Sequence, residues 1–245
     1  MIEPVYQDEH VTLYHGDCRD ILPTLGPADL VLTDPPYGAT SLRWDKPVRG
    51  WLDLVDAPIV WCFGSLRFWL EHASDFREQW AYGQEIVWEK HNGSGFHADR
   101  FKRVHELAVQ WYRGAWGDLY KDVPVTMDAT PRTVRRKQRP PHMGHIGAGS
   151  YISEDGGRRL MRSVLHVRSE QGRAVHPTQK PLGILRPLIS YSCPPGGLVL
   201  DPFAGSGSTL LAARELGRRA IGIELDAGYC EAAAQRLAHL TLEVA

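Results

Sequence analysis

The sequence has few cysteines, no long apolar run and almost no net charge, and each shortage excludes something. Its four cysteines, at 18, 62, 193 and 230, form no Cys-X-X-Cys pair and no short metal-ligand spacing. That excludes a disulfide scaffold and reads as reduced thiols in a cytosol. No stretch approaches the roughly 18 consecutive apolar residues that cross a bilayer. Met1–Asp17 is broken by charges and histidines and does not read as a signal peptide. A cytoplasmic chain with no membrane partner is the expectation. The 28 Lys and Arg nearly balance 29 Asp and Glu, for a net charge of -1. This average gives no hint of nucleic acid, although an average can hide a patch. At 245 residues, 43% of them hydrophobic, the chain can hold a core without cross-links.

Short apolar runs are what the sequence does have: Val11–Tyr14, Leu30–Thr33, Ile59–Phe63, Ile86–Trp88, Leu107–Trp111, Leu198–Leu200 and Ala220–Ile223. Many are continuous rather than alternating, as in strands buried on both faces. Helical spacing marks Leu66–Phe76, the set Thr209, Ala212, Ala213 and Leu216 stopped by Gly217, and Cys230, Ala233, Ala234, Leu237 and Leu240. Strands alternating with helices predict an α/β fold with a mostly parallel, doubly wound sheet. The middle of the chain is different. Ala115–Lys180 carries twelve Lys and Arg against six acids, so the charge is segregated. Pro131–His142 holds Arg132, Arg135, Arg136, Lys137 and Arg139 with no acid. This region reads as a partly mobile insertion on the sheet domain.

Two motifs carry chemistry. Asp34-Pro35-Pro36-Tyr37 follows the run Leu30–Thr33, and ligands of open parallel sheets sit beyond the carboxyl ends of strands. Two prolines stiffen the turn and leave carbonyls with no N–H of their own. Asp34 and the Pro35 carbonyl can accept the two N–H bonds of an exocyclic amine while Tyr37 stacks on its ring. A strand-ending turn with a capping Asp is the competing reading. The second motif, Asp201-Pro202-Phe203-Ala204-Gly205-Ser206-Gly207-Ser208-Thr209, follows Leu198–Leu200 and opens a helix. Its glycines let backbone approach a ligand. Position 210 is Leu, so the third glycine of the dinucleotide fingerprint is missing, and no Gly-Lys-Ser/Thr follows. Glu224, 23 residues after Asp201 and ending the next apolar run, suits ribose hydroxyls. The motif reads as a nucleoside site or as a structural turn.

Together these motifs resemble the S-adenosylmethionine-dependent DNA amino-methyltransferases, in the adenine-N6 branch. The order, with the Asp34 loop first and the Phe203–Gly207 loop near the end, resembles the permuted beta group. His15-Gly16-Asp17-Cys18, Tyr37-Gly38 with Trp44-Asp45, Val87-Trp88-Glu89-Lys90, Phe101-Lys102 with His105-Glu106, and His176-Pro177-Thr178-Gln179-Lys180-Pro181 fit further parts of the pattern. The similarity covers about Val11–Trp111 and Val175–Leu237; the basic middle falls where the family places its variable target-recognition region.

The resemblance implies a Rossmann-like, circularly permuted methyltransferase fold, with catalytic and cofactor-binding halves over 1–114 and 175–245 and a target-recognition insertion over 115–174. It implies that Asp34, Pro35, Pro36 and Tyr37 are catalytic. Phe203, Ala204, Gly205, Ser206 and Gly207, with Asp201, would wrap the methionine part of S-adenosylmethionine. Glu224 would accept from its ribose, and Asp17 and Cys18 would approach its adenine. Thr178 and Lys180 would meet its carboxylate or the Asp201 turn; a plain Lys180–Asp201 salt bridge is the other reading. The faces of Phe203 and Tyr37 suit a cationic sulfonium. Double-stranded DNA is the expected substrate, contacted by Arg132, Arg135, Arg136, Lys137 and Arg139 unless that run is a solvated loop. A homodimer and a cognate restriction endonuclease are further partners the family admits. Direct transfer to adenine N6 on a flipped-out base is the expected reaction. Cytosine-N4 transfer, whose common motif has Ser at position 34, RNA methylation and a non-catalytic DNA-binding subunit are the rivals. Cytosine-C5 chemistry, which needs a Pro-Cys nucleophile, is excluded because no cysteine follows a proline. No metal site is expected, and the eight tryptophans read as core rather than as a base-stacking platform.

Overall fold

The computed structural model describes residues 2–38, 45–94, 98–136, 149–170 and 179–242. Along the chain run β1 (Tyr6–Gln7), β2 (Val11–His15), α1 (Cys18–Ile21), β3 (Leu30–Thr33), β4 (Ile59–Gly64), α2 (Leu66–Arg77), β5 (Ala81–Ser94) and β6 (Arg103–Tyr112). They are followed by β7 (Val125–Thr126), β8 (Arg132–Arg136), β9 (Gly149–Ser153), β10 (Arg159–Leu160), β11 (Val164–His166) and α3 (Leu182–Ser192). The last elements are β12 (Leu198–Asp201), α4 (Ser208–Glu215), β13 (Arg219–Glu224) and α5 (Ala227–Leu242). Two compact units result: Met1–Asp122 with Ser163–Ala245, and Val123–Arg162.

The larger unit is built on a nine-stranded sheet of order β1-β2-β13-β12-β3-β4-β6-β5-β11. Pairing is parallel from β2 through β4, and again between β5 and β11. It is antiparallel where β6 sits between β4 and β5, and at the β1 edge. Every apolar run expected to be a strand is one. Each run is continuous because alternate side chains feed two cores on opposite faces of the sheet. Leu30, Leu32, Ile59, Trp61 and Phe63 join one core with Ile184, Leu188, Leu210, Ala233 and Leu237 of α3, α4 and α5. Val31, Val60, Cys62 and Leu200 join the other with Phe68, Trp69 and Phe76 of α2. Six of the tryptophans, 51, 61, 69, 80, 88 and 111, are buried in these layers.

The helices follow the expected boundaries closely. Ser65 caps α2 by accepting from the Phe68 amide at 3.2 Å, and Gly217, with φ +68°, terminates α4 as a left-handed residue. Helix α3 lies outside the helical patterns read from sequence, because Pro187 sits inside it and removes a backbone donor. The four cysteines are buried and unpaired. No helix among the described residues is long and apolar enough to cross a membrane.

The smaller unit, Val123–Arg162, lies inside the expected insertion. It consists of two short antiparallel pairs, β7 with β10 and β8 with β9. Arg132 and Arg135 are exposed on β8, and a strand's period of two puts them on opposite faces of the pair. The Arg136 side chain, Lys137 and Arg139 lie outside the described residues. C-terminal to this unit, β11 pairs with β5 in the large sheet, Val164 opposite Val87.

Gly64 ends β4 where the chain turns into α2. A Cβ there would lie 2.5 Å from the Phe68 ring and 2.8 Å from the Trp69 indole nitrogen. Gly64→Ala is expected to cost about 1–3 kcal/mol as the aromatic cluster is overpacked. Urea denaturation measures it; an unchanged midpoint would mean the two rings move aside without penalty.

Candidate active site

The sheet reverses its winding between β12 and β3. From β12 the chain continues through α4 to β13 on one side; from β3 it continues to β4 on the other. Loops leaving adjacent strands in opposite directions open a crevice at their carboxyl ends. Asp201 ends β12 and Asp34 follows β3, so both carboxylates arrive at that crevice. A cavity of about 270 Å³ lies there, lined among others by Asp34, Pro36, Lys180, Asp201, Phe203 and Glu224.

The glycine-rich loop is shaped by its own backbone. Gly205 and Gly207 have φ of +51° and +72°, where a side chain would be strained. The Gly207 N–H donates to the Ala204 carbonyl at 2.8 Å, and Ala204 N–H donates to the Ile223 carbonyl at 2.8 Å. From α5, Arg236 reaches back and donates to the Ser206 carbonyl at 3.0 Å and the Ser208 hydroxyl at 2.9 Å. Glu224 accepts from Gly205 N–H at 2.7 Å on one oxygen and Asp226 N–H at 2.8 Å on the other. Its carboxylate is thereby fixed toward the cavity, and burial pushes its pKa up against those two hydrogen bonds. Asp201 is buried; its Oδ1 accepts from the Thr33 hydroxyl at 2.8 Å and the Phe203 N–H at 3.1 Å.

The turn at Asp34 is pinned from downstream. Asp45 Oδ1 accepts from the Tyr37 and Gly38 amides, both at 2.8 Å. The Tyr37 hydroxyl donates to Asp34 Oδ1, and its ring lies 5.1 Å from Phe68. Lys180 Nζ donates to Asp34 Oδ2 and lies 3.6 Å from Glu106 Oε2. Burial, against the opposing pull of Lys180 and with a push from Glu106, raises the Asp34 carboxyl from the usual 3.8 to about 6. Burial acts to lower the Lys180 ammonium, but Asp34 and Glu106 outweigh it and hold the ammonium above its ordinary value.

Most of the residues expected at the site are brought together. Asp17, Cys18, Asp34, Pro36 and Lys180 line the cavity, as do Asp201, Phe203, Ala204, Gly205, Ser206 and Glu224. Pro35, Tyr37 and Gly207 belong to the same loops but do not line it. Thr178 lies outside the described residues, as do His176, Pro177 and Trp44. Asp17 caps α1 and pairs with Arg19 at 2.6 Å, while burial pushes the Cys18 thiol up to about 12. Phe203 packs edge-on against Trp51, at 5.4 Å. Of the two readings of Lys180, the salt bridge with Asp201 is not formed: the ammonium sits between Asp34 and Glu106 instead. Thr33, Asp45, Glu106 and Arg236 were not among the expected site residues. Asp45 and Glu106 did leave a signal, in the Trp44-Asp45 and His105-Glu106 pairs that fit the family pattern; Thr33 and Arg236 left none as site residues.

The N6/N4 DNA methylase model matches residues 28–235, and the chain belongs to that family. YubD of Escherichia coli (strain K12), a methylase by name, is 57% identical over 67 residues, 27% of this chain and 30% of that protein. The chain thus matches about a third of the length of YubD. The type II methyltransferase M.ScaI of Streptomyces caespitosus is 25% identical over 96% of this chain and 84% of its own. Among solved structures, the M1.HpyAVI–SAM complex superposes with a TM-score of 0.63 at 24% identity, covering 92% of this chain and 99% of that one. The cytosine-N4-specific PvuII DNA methyltransferase superposes at 0.66 with 16% identity, over 96% and 89% of the two chains. These likenesses establish the Rossmann-like methyltransferase fold expected from the sequence.

Thr33→Val keeps shape and removes one donor from the buried Asp201 carboxylate. A hydrogen bond to a charged group contributes about 1.5–3 kcal/mol, and the variant is expected to lose stability in that range. Chemical denaturation reads it; a negligible change would assign the anchoring of Asp201 to the Phe203 amide and to the Thr209 side chain, which also hydrogen-bonds it.

Proposed function

We propose that this chain transfers a methyl group from S-adenosylmethionine to the N6 amine of adenine in double-stranded DNA. The observation that carries the reading is one cavity, at the sheet's reversal point, lined by both Asp34 and the Gly205–Glu224 cradle. Family membership supports the reaction class, and the carboxylate at position 34, where the cytosine-N4 motif commonly has Ser, supports adenine.

The cradle suits this cofactor on structural grounds. Gly205 lines the cavity with a backbone that a side chain would strain, and Glu224 keeps lone pairs free for ribose hydroxyls beside its two amide donors. Phe203 offers an apolar wall. When bound, S-adenosylmethionine would supply the methyl group by direct displacement, the carbon–nitrogen bond forming as the carbon–sulfur bond breaks and its electron pair leaves with sulfur, and the surplus proton of the methylated amine passing to solvent. The chain's own task is the amine. An aromatic amine is a poor nucleophile because its lone pair is delocalised. Asp34, held ionised by Lys180, accepts an N–H, favours a localised lone pair and stabilises the positive charge growing on nitrogen. Holding the amine in line adds the entropic share. Tyr37, now bonded to Asp34 through its hydroxyl, gives up that bond and stacks on the flipped base.

Arg132, Arg135, Arg136, Lys137 and Arg139 are proposed to neutralise phosphates, in a smaller unit that serves target recognition. With Arg132 and Arg135 on opposite faces of β8, DNA would engage both faces of that strand pair rather than one flat surface. The type II naming of M.ScaI supports a place beside a restriction endonuclease.

The test is incubation of the purified chain with labelled S-adenosylmethionine and unmethylated genomic DNA, followed by digestion to nucleosides. Label in N6-methyldeoxyadenosine is expected; label in N4-methyldeoxycytidine would move the chain to the cytosine branch. Asp34→Ala is expected to bind S-adenosylmethionine as the parent does and to lose roughly 10²–10³-fold in kcat, the scale for one preorganised polar group. Parent-rate transfer by this variant would refute the mechanism. Because the free-enzyme carboxyl is raised to about 6, Asp34 is ionised above that pH and protonated below it. The kcat/KM profile is therefore expected to fall as pH drops through about 6. A limb near the ordinary carboxylate value would mean that the pull of Lys180 cancels the effect of burial on Asp34.

A further inference from the structure

Behind Asp34 stands a line of alternating charges that reaches away from the cavity. Lys180 Nζ donates to Asp34 Oδ2 and lies 3.6 Å from Glu106 Oε2, and Lys90 Nζ lies 3.0 Å from Glu106 Oε1. Sheet register explains the meeting. Glu106 on β6 is opposite Trp88 on β5, and Lys90, two residues beyond Trp88, returns to the same face. The Lys90 ammonium sits 4.5 Å from the Trp88 ring, and the Lys180 ammonium sits 5.0 Å from the Phe63 ring. Glu106 Oε2 is buried and makes no hydrogen bond of its own. It faces Lys180 at ion-pair range only, so the pull on Lys180 is divided unequally between two carboxylates.

We propose that Glu106, anchored by Lys90, is a positioning residue for methyl transfer: it draws on the Lys180 ammonium and so sets how firmly Lys180 holds the Asp34 carboxylate at the target amine. The proposal deepens the reading of Asp34 given above and rests on it. Its physical content is a competition. If Lys180 bound Asp34 alone, the carboxylate would be locked and its negative charge largely spent on the ammonium. With Glu106 sharing Lys180, Asp34 keeps charge to offer a substrate N–H. Lys90 sets the balance, because a Glu106 already neutralised by Lys90 pulls less on Lys180.

The charged and titratable groups that face Asp34 are Lys180 ahead of α3, Glu106 on β6, Asp201 on β12, Cys62 on β4 and Tyr37 in its own loop. Those that face Glu106 are Lys180, Lys90, Arg103 and Asp34 itself. Glu106 raises the Asp34 carboxyl directly and also draws Lys180 from it. Glu106→Gln removes both effects and lets Lys180 turn wholly to Asp34, so the Asp34 midpoint falls. Lys90→Met, at the outer end of the line, leaves Glu106 to pull harder on Lys180, so the midpoint rises. Opposite signs from two substitutions in one chain of charges are not what loss of packing produces.

The experiment is a carbon-13 NMR titration of aspartate side-chain carboxyls in the full chain, with Asp34 assigned by its loss in Asp34→Asn, alongside pH profiles of kcat and KM. Glu106→Gln is expected to lower the Asp34 midpoint, to move the acid limb of kcat/KM the same way, and to reduce kcat by roughly ten- to a hundredfold through misplacement of the amine acceptor, with KM for S-adenosylmethionine little changed. Lys90→Met is expected to raise the midpoint, and it remains informative if Glu106→Gln fails to fold. Midpoints that stay in place, or that move in the same direction in both variants, would overturn the proposal. A parent chain that transfers no methyl group to any DNA would sink the functional reading instead, and the NMR midpoints would still decide whether Glu106 governs Asp34.

Discussion

Two carboxylates, one buried and one half-buried, set side by side at the ends of adjacent parallel strands are the constraint on which the rest of this structure depends. Asp201 ends β12 and Asp34 follows β3, the two strands between which the sheet reverses its winding. Burial disfavours both charges. The fold meets that cost with different means. Asp201 is held by neutral donors, the Thr33 hydroxyl and the Phe203 amide. Asp34 is held by a cation, Lys180, on one oxygen and by the displaceable Tyr37 hydroxyl on the other. The distinction divides the labour of the site. A carboxylate saturated by fixed dipoles shapes a loop, whereas one paired with a shared ammonium keeps capacity for a further donor. Thr33 belongs to the strand that delivers Asp34 yet bonds Asp201, so the two motifs are fixed to one another through a single hydroxyl.

The aromatic layer beneath the site serves the same end. Tyr37 lies on Phe68 and Phe203 on Trp51, and both lead into the cluster of Trp69, Phe76 and Trp111. Rigid rings at 5–6 Å spacing give the two functional loops a common floor with little rotameric freedom. On the opposite face, aliphatic side chains of α3, α4 and α5 carry the packing, and α5 sends Arg236 back to the glycine-rich loop. The glycine-rich loop is thus pinned by Arg236, 30 residues beyond Ser206, while the Asp34 turn is pinned from Asp45, just downstream.

How much of this the sequence disclosed varied with the range of the interaction. Leu30–Thr33 matches its strand end to end, because a strand buried on both faces must be apolar throughout. The Asp34 and Gly205 motifs were legible because their chemistry lies in consecutive residues. Glu224 followed from its place at a strand end, whereas Asp17 and Cys18 came only from the family resemblance. Helix α3 was hidden by Pro187, which breaks the pattern a helix usually shows. The partner of Lys180 was hidden for a deeper reason. Nothing local separates Asp201 from Glu106 as its counter-ion. The choice depends on β6 inserting antiparallel between β4 and β5, and on a register with irregularities at Tyr82/Gln84 and Glu89/Ser94. Periodicity within one strand carries no information about the register between two.

That antiparallel insertion has a consequence for the chemistry. A purely parallel sheet would present only carboxyl ends of strands to the crevice. Because β6 runs the other way, its beginning reaches the same edge as the ends of β3 and β4, with Leu107 opposite Gly64 and Glu106 just before it. An acid at the start of a strand thereby meets an acid that follows the end of another, and the two share Lys180. The reversed strand is how a third carboxylate enters the site without lying on any of the loops that carry the recognisable motifs. It also places that carboxylate behind Asp34 rather than in the cavity, where it acts on the charge of the site without occupying the space a substrate needs.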